Sequence, residues 1–341
     1  MPRPPHAALV PLRWRNRPFP VFPSVRPLVL ATSTSLALAA CGERGIVSPQ
    51  LDTGAAEHGH GDGGDNGTGD DGGAAEGDGG SPSSVPDLRG PGPHPTHGEE
   101  GSYETSCTMA TTTFTPDDAD PIATVILAHG FSRGRAQVAG WAEDLASWGF
   151  RAVAPDLCHA SILDTDHEAN GNDLARLGAL LEGDIIFAGH SAGGLAALLA
   201  GVASPEARGV VTLDLVDSGD LGLQAAPDLA IPLWAMLGEA SACNADGNGD
   251  AVVAIVPRSR AWRITGADHC DFENETDALC TAFCGGTDDR FDELEIHEVI
   301  GALLTAAALA ASGETWADAA WWEEGGDPAR ELVDEGLLSR P

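Results

Sequence analysis

Short, wholly apolar runs alternate along this chain with longer segments whose apolar residues recur at helical spacing. Residues 122–128 (IATVILA) form the first uninterrupted run of strand length, and residues 151–154, 184–188, 210–215, 231–237 and 261–265 repeat the theme. Helical patterns fall between or after them, at 136–148, 173–181, 195–202 and 293–311, and a β-rich stretch at 103–115 opens the series. Strands that are apolar on both faces must be covered on both faces, and helices between strands supply the cover. The pattern therefore predicts an α/β fold: a doubly wound, mostly parallel sheet with helices on both faces, spanning residues 102–311.

Outside that span the pattern changes. Residues 27–40 (PLVLATSTSLALAA) form an apolar run ending in small residues, preceded by Arg3, Arg13, Arg15, Arg17 and Arg26 and by no acidic residue. The run is shorter than the roughly 20 residues a spanning helix needs, and fits the apolar core of an export signal at 1–40. Leu38-Ala39-Ala40-Cys41 resembles the bacterial lipobox, whose cysteine becomes the lipidated first residue of the mature chain. By that resemblance Cys41 is the lipid-anchored residue and Gly42 favours the outer membrane or cell surface. Residues 42–101 are rich in Gly, Asp, Pro and Ser and offer nothing to a core; with Cys41 they read as an acidic, disordered tether. Residues 312–341, with Trp316, Trp321 and Trp322 among acids, read as a tail packed on the domain.

Charge narrows the function classes. The chain carries 52 Asp and Glu against 18 cationic residues, a net charge of −34, and every cation is Arg. Such a surface repels phosphate backbones, which argues against nucleic-acid binding. The lack of lysine excludes Schiff-base chemistry and a phosphate-loop lysine. Beyond Cys41 six cysteines remain (Cys107, Cys158, Cys243, Cys270, Cys280, Cys284); in an exported chain an even set points to disulfides, with 15 possible pairings. A zinc site around His269 is the lesser reading.

Candidate chemistry lies where the strands end. Gly189-His190-Ser191-Ala192-Gly193 joins an apolar strand (DIIFA) to a helix (GLAALLAG). A sharp strand-to-helix turn of this G-x-S-x-G kind exposes a serine hydroxyl at a helix N-terminus, and its close packing requires glycine on either side. Ser191 is thus the candidate nucleophile. His129-Gly130-Phe131 closes the run at 122–128, where the N–H of Phe131 and that of Ala192 would bracket an oxyanion; His129 reads as structural. His269, in Ala267-Asp268-His269-Cys270 after the last strand, is the candidate base, and His190 is expected to point away. The acid is less sharply marked. Asp214 at the end of VVTLDLVD ranks first, because an unpaired carboxylate within an apolar strand is costly; Asp217 is the alternative, with Glu239 and Asp246 behind.

Together VILAHGF, GHSAGG, LDLVD, a strand ending in LGE, CNADGNG and ADHCDF resemble the chlorophyllase and platelet-activating-factor acetylhydrolase branch of the α/β-hydrolases, over about residues 103–310. The resemblance implies the α/β-hydrolase fold, an acid at Asp214, and carboxylester hydrolysis by an acyl-enzyme route that needs no cofactor and no metal. A small ester would be the substrate, with the membrane reached through Cys41. Serine peptidase activity of the same fold and a non-catalytic binding role are the alternatives. Asn244-Ala245-Asp246-Gly247-Asn248-Gly249-Asp250 also matches the first seven positions of a calcium loop, but Ile255 stands at the twelfth, where a bidentate Glu is required; a polar turn beside Cys243 is the favoured reading.

Overall fold

A computed structural model describes residues 85–285 and 290–341. The signal segment at 1–40, Cys41 and residues 42–84 of the tether lie outside the described residues. The described sheet has nine strands: β1 (Thr96–Glu104), β2 (Thr108–Pro116), β3 (Thr124–Ala128), β4 (Arg151–Pro155), β5 (Ile185–His190), β6 (Gly209–Leu213), β7 (Leu233–Leu237), β8 (Ser259–Ile264) and β9 (Leu338–Ser339). Their order across the sheet is β1-β2-β4-β3-β5-β6-β7-β8-β9. Strands β4, β3, β5, β6, β7 and β8 run parallel, while β1, β2 and β9 are added antiparallel at the edges. A two-strand ribbon, Ala160–Ser161 with Asp164–Thr165, stands apart from it.

Nine helices accompany the sheet among the described residues: α1 (Ala139–Ser147), α2 (His167–Leu180), α3 (Ala192–Ala203), α4 (Leu221–Ala225), α5 (Gly249–Ile255), α6 (Ala278–Cys284), α7 (Glu293–Ser312), α8 (Thr315–Trp321) and α9 (Asp327–Asp334). Successive side chains of a strand point to opposite faces, and the two halves of the core follow that alternation. Val125, Leu127, Ile186, Val211, Met236 and Trp262 pack with α1, α7, α8 and α9. Ile126, Phe187, Val210, Leu233 and Ala235 pack with α2, α3 and α5 on the other side. This is a mixed α/β fold with a mostly parallel sheet, as the apolar runs predict. Helix α7 is long and apolar enough to cross a membrane by length and composition, but two thirds of it is buried inside the domain, where it covers the central strands.

The structure moves two boundaries. The folded domain begins upstream of residue 102, since β1 starts at Thr96 and Leu88 is buried in the core. β1 is exposed along nearly its whole length, so its residues carry no apolar periodicity to announce a strand. The tail at 312–341 is integral: Trp321, Trp322, Leu337 and Leu338 are buried, and β9 pairs with β8. Three disulfides, Cys107–Cys158, Cys243–Cys284 and Cys270–Cys280, use all six cysteines.

Candidate active site

Register decides what meets at the sheet's C-terminal edge. Ala128 of β3 pairs with Gly189 of β5, and His190 pairs with Leu213 of β6. The residues that follow these ends, His129-Gly130-Phe131, Ser191 and Asp214, therefore emerge side by side. His269 arrives on the loop after β8.

Ser191 forms the turn between β5 and α3 with φ 57° and ψ −123°, a left-handed backbone that a residue with a Cβ adopts at a cost of roughly 1–3 kcal/mol. The turn is this tight because of its glycines. A Cβ on Gly189 would stand 2.3 Å from the Gly193 carbonyl oxygen, and one on Gly193 would stand 2.4 Å from the carbonyl oxygens of Ala128 and His129. The hydroxyl of Ser191 lies 3.0 Å from Nε2 of His269, whose Nδ1 lies 2.6 Å from Oδ2 of Asp214. All three side chains are buried. Both ring nitrogens of His269 are thereby engaged, one by the hydroxyl and one by the carboxylate.

Asp214 leaves β6 with φ 44° and is held from three sides. Its Oδ1 accepts the Gly238 N–H at 3.0 Å, its Oδ2 meets His269, and the Asn244 amide donates to both oxygens at 3.3 and 3.1 Å. The alternative acid, Asp217, is otherwise occupied: its carboxylate accepts the N–H groups of Gly222 at 2.7 Å and Leu223 at 3.1 Å, at the start of α4. Glu239 accepts the Gly266 N–H, and neither Glu239 nor Asp246 reaches His269.

The loop after β3 is fixed to the site from both ends. His129, buried and with its ionisation suppressed by that burial, donates from Nδ1 to the Gly130 carbonyl at 2.8 Å and accepts the Leu157 N–H at 3.0 Å. The structural role expected of His129 is met by these two bonds. Ser132 N–H donates to the Ala160 carbonyl at 2.7 Å. Arg133 makes a two-pronged contact with Glu273, at 2.6 Å on each prong, and a further one with Asp277. Among the described residues the N–H groups of Phe131 and Ala192 bond no protein acceptor.

His190 does not point away from the site. Its ring packs on that of His269 at 4.6 Å between centroids and lies nearly parallel to that of Phe272 at 6.5 Å. Burial holds it well below the ordinary histidine range, so it faces His269 as a neutral ring. Its Nδ1 is 4.0 Å from the buried Glu273 carboxyl, which burial pushes up despite the neighbouring Arg133. These groups, together with Phe131, Leu279, Phe283 and Cys243, line a cavity of about 250 Å³ over Ser191.

Neither metal reading gains a ligand set. Sγ atoms of Cys270, Cys280 and Cys284 cluster near His269, but each is bound in a disulfide and supplies no thiolate. In the calcium-like segment, Asn244 and Asn248 direct their amides at Asp214 and Asp217. Asn244, Arg133 and Glu273 escaped the sequence reading; only Asn244 lay in a motif that drew notice, and for another reason. No protein-family model matches the chain, and no curated protein matches it.

Proposed function

We propose that the protein is a serine carboxylester hydrolase of the α/β-hydrolase fold, from the chlorophyllase and platelet-activating-factor acetylhydrolase-like branch, exported and anchored to a membrane through a lipid on Cys41. The observation that carries the catalytic part is the continuous chain Ser191 Oγ, His269, Asp214, at 3.0 and 2.6 Å, on a strained strand-to-helix turn. In this reading His269 takes the Ser191 proton as the hydroxyl oxygen attacks the ester carbonyl. Asp214 fixes the ring with Nδ1 protonated and stabilises the imidazolium. The N–H groups of Phe131 and Ala192 receive the oxyanion, and such a donor contributes about a hundredfold or more in rate. His269 then protonates the leaving alcohol, and water repeats the sequence on the acyl-enzyme.

The cavity supports an uncharged acyl group. Phe131, Leu279 and Phe283 border it and are 41%, 60% and 79% exposed, an apolar rim on an acidic protein. Its one cation, Arg133, is paired with Glu273 and Asp277. The test is hydrolysis of p-nitrophenyl esters, acetate through decanoate, by the full chain. Ser191→Ala is expected to abolish turnover and Asp214→Asn to lower kcat by about 10³-fold or more, both with native circular dichroism. Full activity in Ser191→Ala would refute the reading.

A further inference from the structure

The calcium-like segment has a different use in this fold. Asn244 places its amide nitrogen 3.3 and 3.1 Å from the two Asp214 oxygens and 2.8 Å from the Glu239 carbonyl, and its amide oxygen accepts the N–H groups of Ser241 at 2.8 Å and Gly247 at 3.0 Å. The side chain is buried, with donor and acceptor both engaged. Four residues on, Asn248 accepts the Asp217 N–H at 2.9 Å and donates to the Asp217 carbonyl at 2.7 Å, gripping that backbone as a strand partner would. Gly249 lies so close that a Cβ would stand 2.3 Å from the Leu215 carbonyl oxygen. Residues 244–249 therefore lie along residues 214–217 and hold them at the carboxylate, the backbone and the turn between.

We propose that this segment is a splint for the acid, and that Asn244 is a positioning residue that orients the Asp214 carboxylate toward His269. The inference rests on the triad reading for its consequence in catalysis, but its structural content stands apart from it. A carboxylate at a left-handed backbone position cannot rely on its own strand for orientation. An amide spanning both oxygens restricts rotation about the Cβ–Cγ bond. Aspartate in place of Asn244 would set a second negative charge beside Asp214 and favour the imidazolium of His269. The other titratable groups around His269 are Ser191, the neutral His190 with Arg133 and Glu273 paired behind it, and Asp268 and Asp271 on its own loop.

The experiment compares the full chain with Asn244→Ala and Asn244→Asp by ester kinetics against pH and by NMR titration of the His269 ring, assigned by difference from His269→Gln. Asn244→Ala is expected to lower kcat about tenfold, about 1.4 kcal/mol of barrier, with KM within about twofold. Asn244→Asp, nearly the same size, is expected to move both the acid limb of kcat/KM and the His269 titration to higher pH. A merely structural residue would leave the kcat of a folded Asn244→Ala unchanged, since that variant removes the bonds to Asp214 without adding charge. Folded variants with wild-type kcat and an unshifted His269 titration would overturn the proposal, as would a rise in melting temperature on adding calcium to the wild type. If the wild type hydrolyses no ester, the proposed function falls, and the His269 titration in Asn244→Ala, which removes the bonds to Asp214 without adding charge, still decides the splint: a shift supports it, no shift refutes it.

Discussion

At the scale of single residues, His269 lies in a loop where carboxylates crowd. Asp268 and Asp271 cross-brace it: Asp271 accepts the Asp268 N–H at 2.6 Å, and Asp268 accepts the Cys270 N–H at 2.7 Å. Burial, with the neighbouring Asp268 charge, pushes the Asp271 carboxyl up to about 7. An unfolded Asp titrates near 3.9, so the folded protein binds this proton more tightly than the unfolded chain does. The resulting penalty is absent below about pH 4 and fully present above about pH 7, so stability falls as pH rises through that window. Asp271→Asn keeps an oxygen to accept the Asp268 N–H and cannot ionise. It is expected to raise the melting temperature at pH 8, to change it little at pH 4, and to flatten the slope between; parallel melting curves at every pH would show that Asp271 ionises freely. That Ser191 and His269 would meet was legible in sequence because glycine spacing and strand ends leave a written pattern. Asp214 was legible as a charge in an apolar run. Asn244 was not, since its bonds to Asp214 arise only when the loops after β6 and β7 fold together. His190 was misjudged for the same reason: neighbourhood across β5, β8 and the following loop decides where its ring goes.

Among the elements, the short helix α6 has the most leverage over the site. Cys280, within it, is bonded to Cys270, the residue after His269, and Cys284, at its end, is bonded to Cys243, the residue before Asn244. Asp277 caps the helix and also meets Arg133 of the loop after β3. One helix thus ties together the His269 loop, the segment at 244–249 and the loop after β3. Cys107–Cys158 closes a separation of 51 residues and Cys270–Cys280 one of only 10. Loop-closure entropy makes the longer bridge the larger stabiliser, about 4 against about 3 kcal/mol. Activity is expected to rank the other way: Cys270→Ser with Cys280→Ser lowers kcat at a temperature where the chain remains folded, while Cys107→Ser with Cys158→Ser lowers the melting temperature more and kcat less. Equal losses of kcat in both pairs would remove the special role of α6. The central strands and their helices were legible because burial on both faces writes continuous apolar runs. β1 and β9 were missed because an exposed edge strand and a two-residue strand need no such run.

Over the whole molecule the dominant fact is charge. Residues 102–341 carry 40 acidic residues against 11 Arg, a net charge of −29, and all eleven Arg lie among the described residues, with Arg133, Arg135, Arg260 and Arg263 each paired to carboxylates. A field of that sign lowers the local concentration of anions and raises that of cations near the cavity. Raising salt from about 0.01 M to about 1 M shortens the screening length from about 30 Å to about 3 Å. For an anionic ester kcat/KM is therefore expected to climb several-fold over that range, whereas for a neutral ester of the same length it should stay nearly flat. The comparison separates field from pocket: an anionic ester that remains poor at 1 M salt is rejected locally, by the apolar rim and the paired Arg133. Matching salt profiles for the two esters would mean that the acidic surface has no say in substrate choice, leaving solubility as its physical consequence.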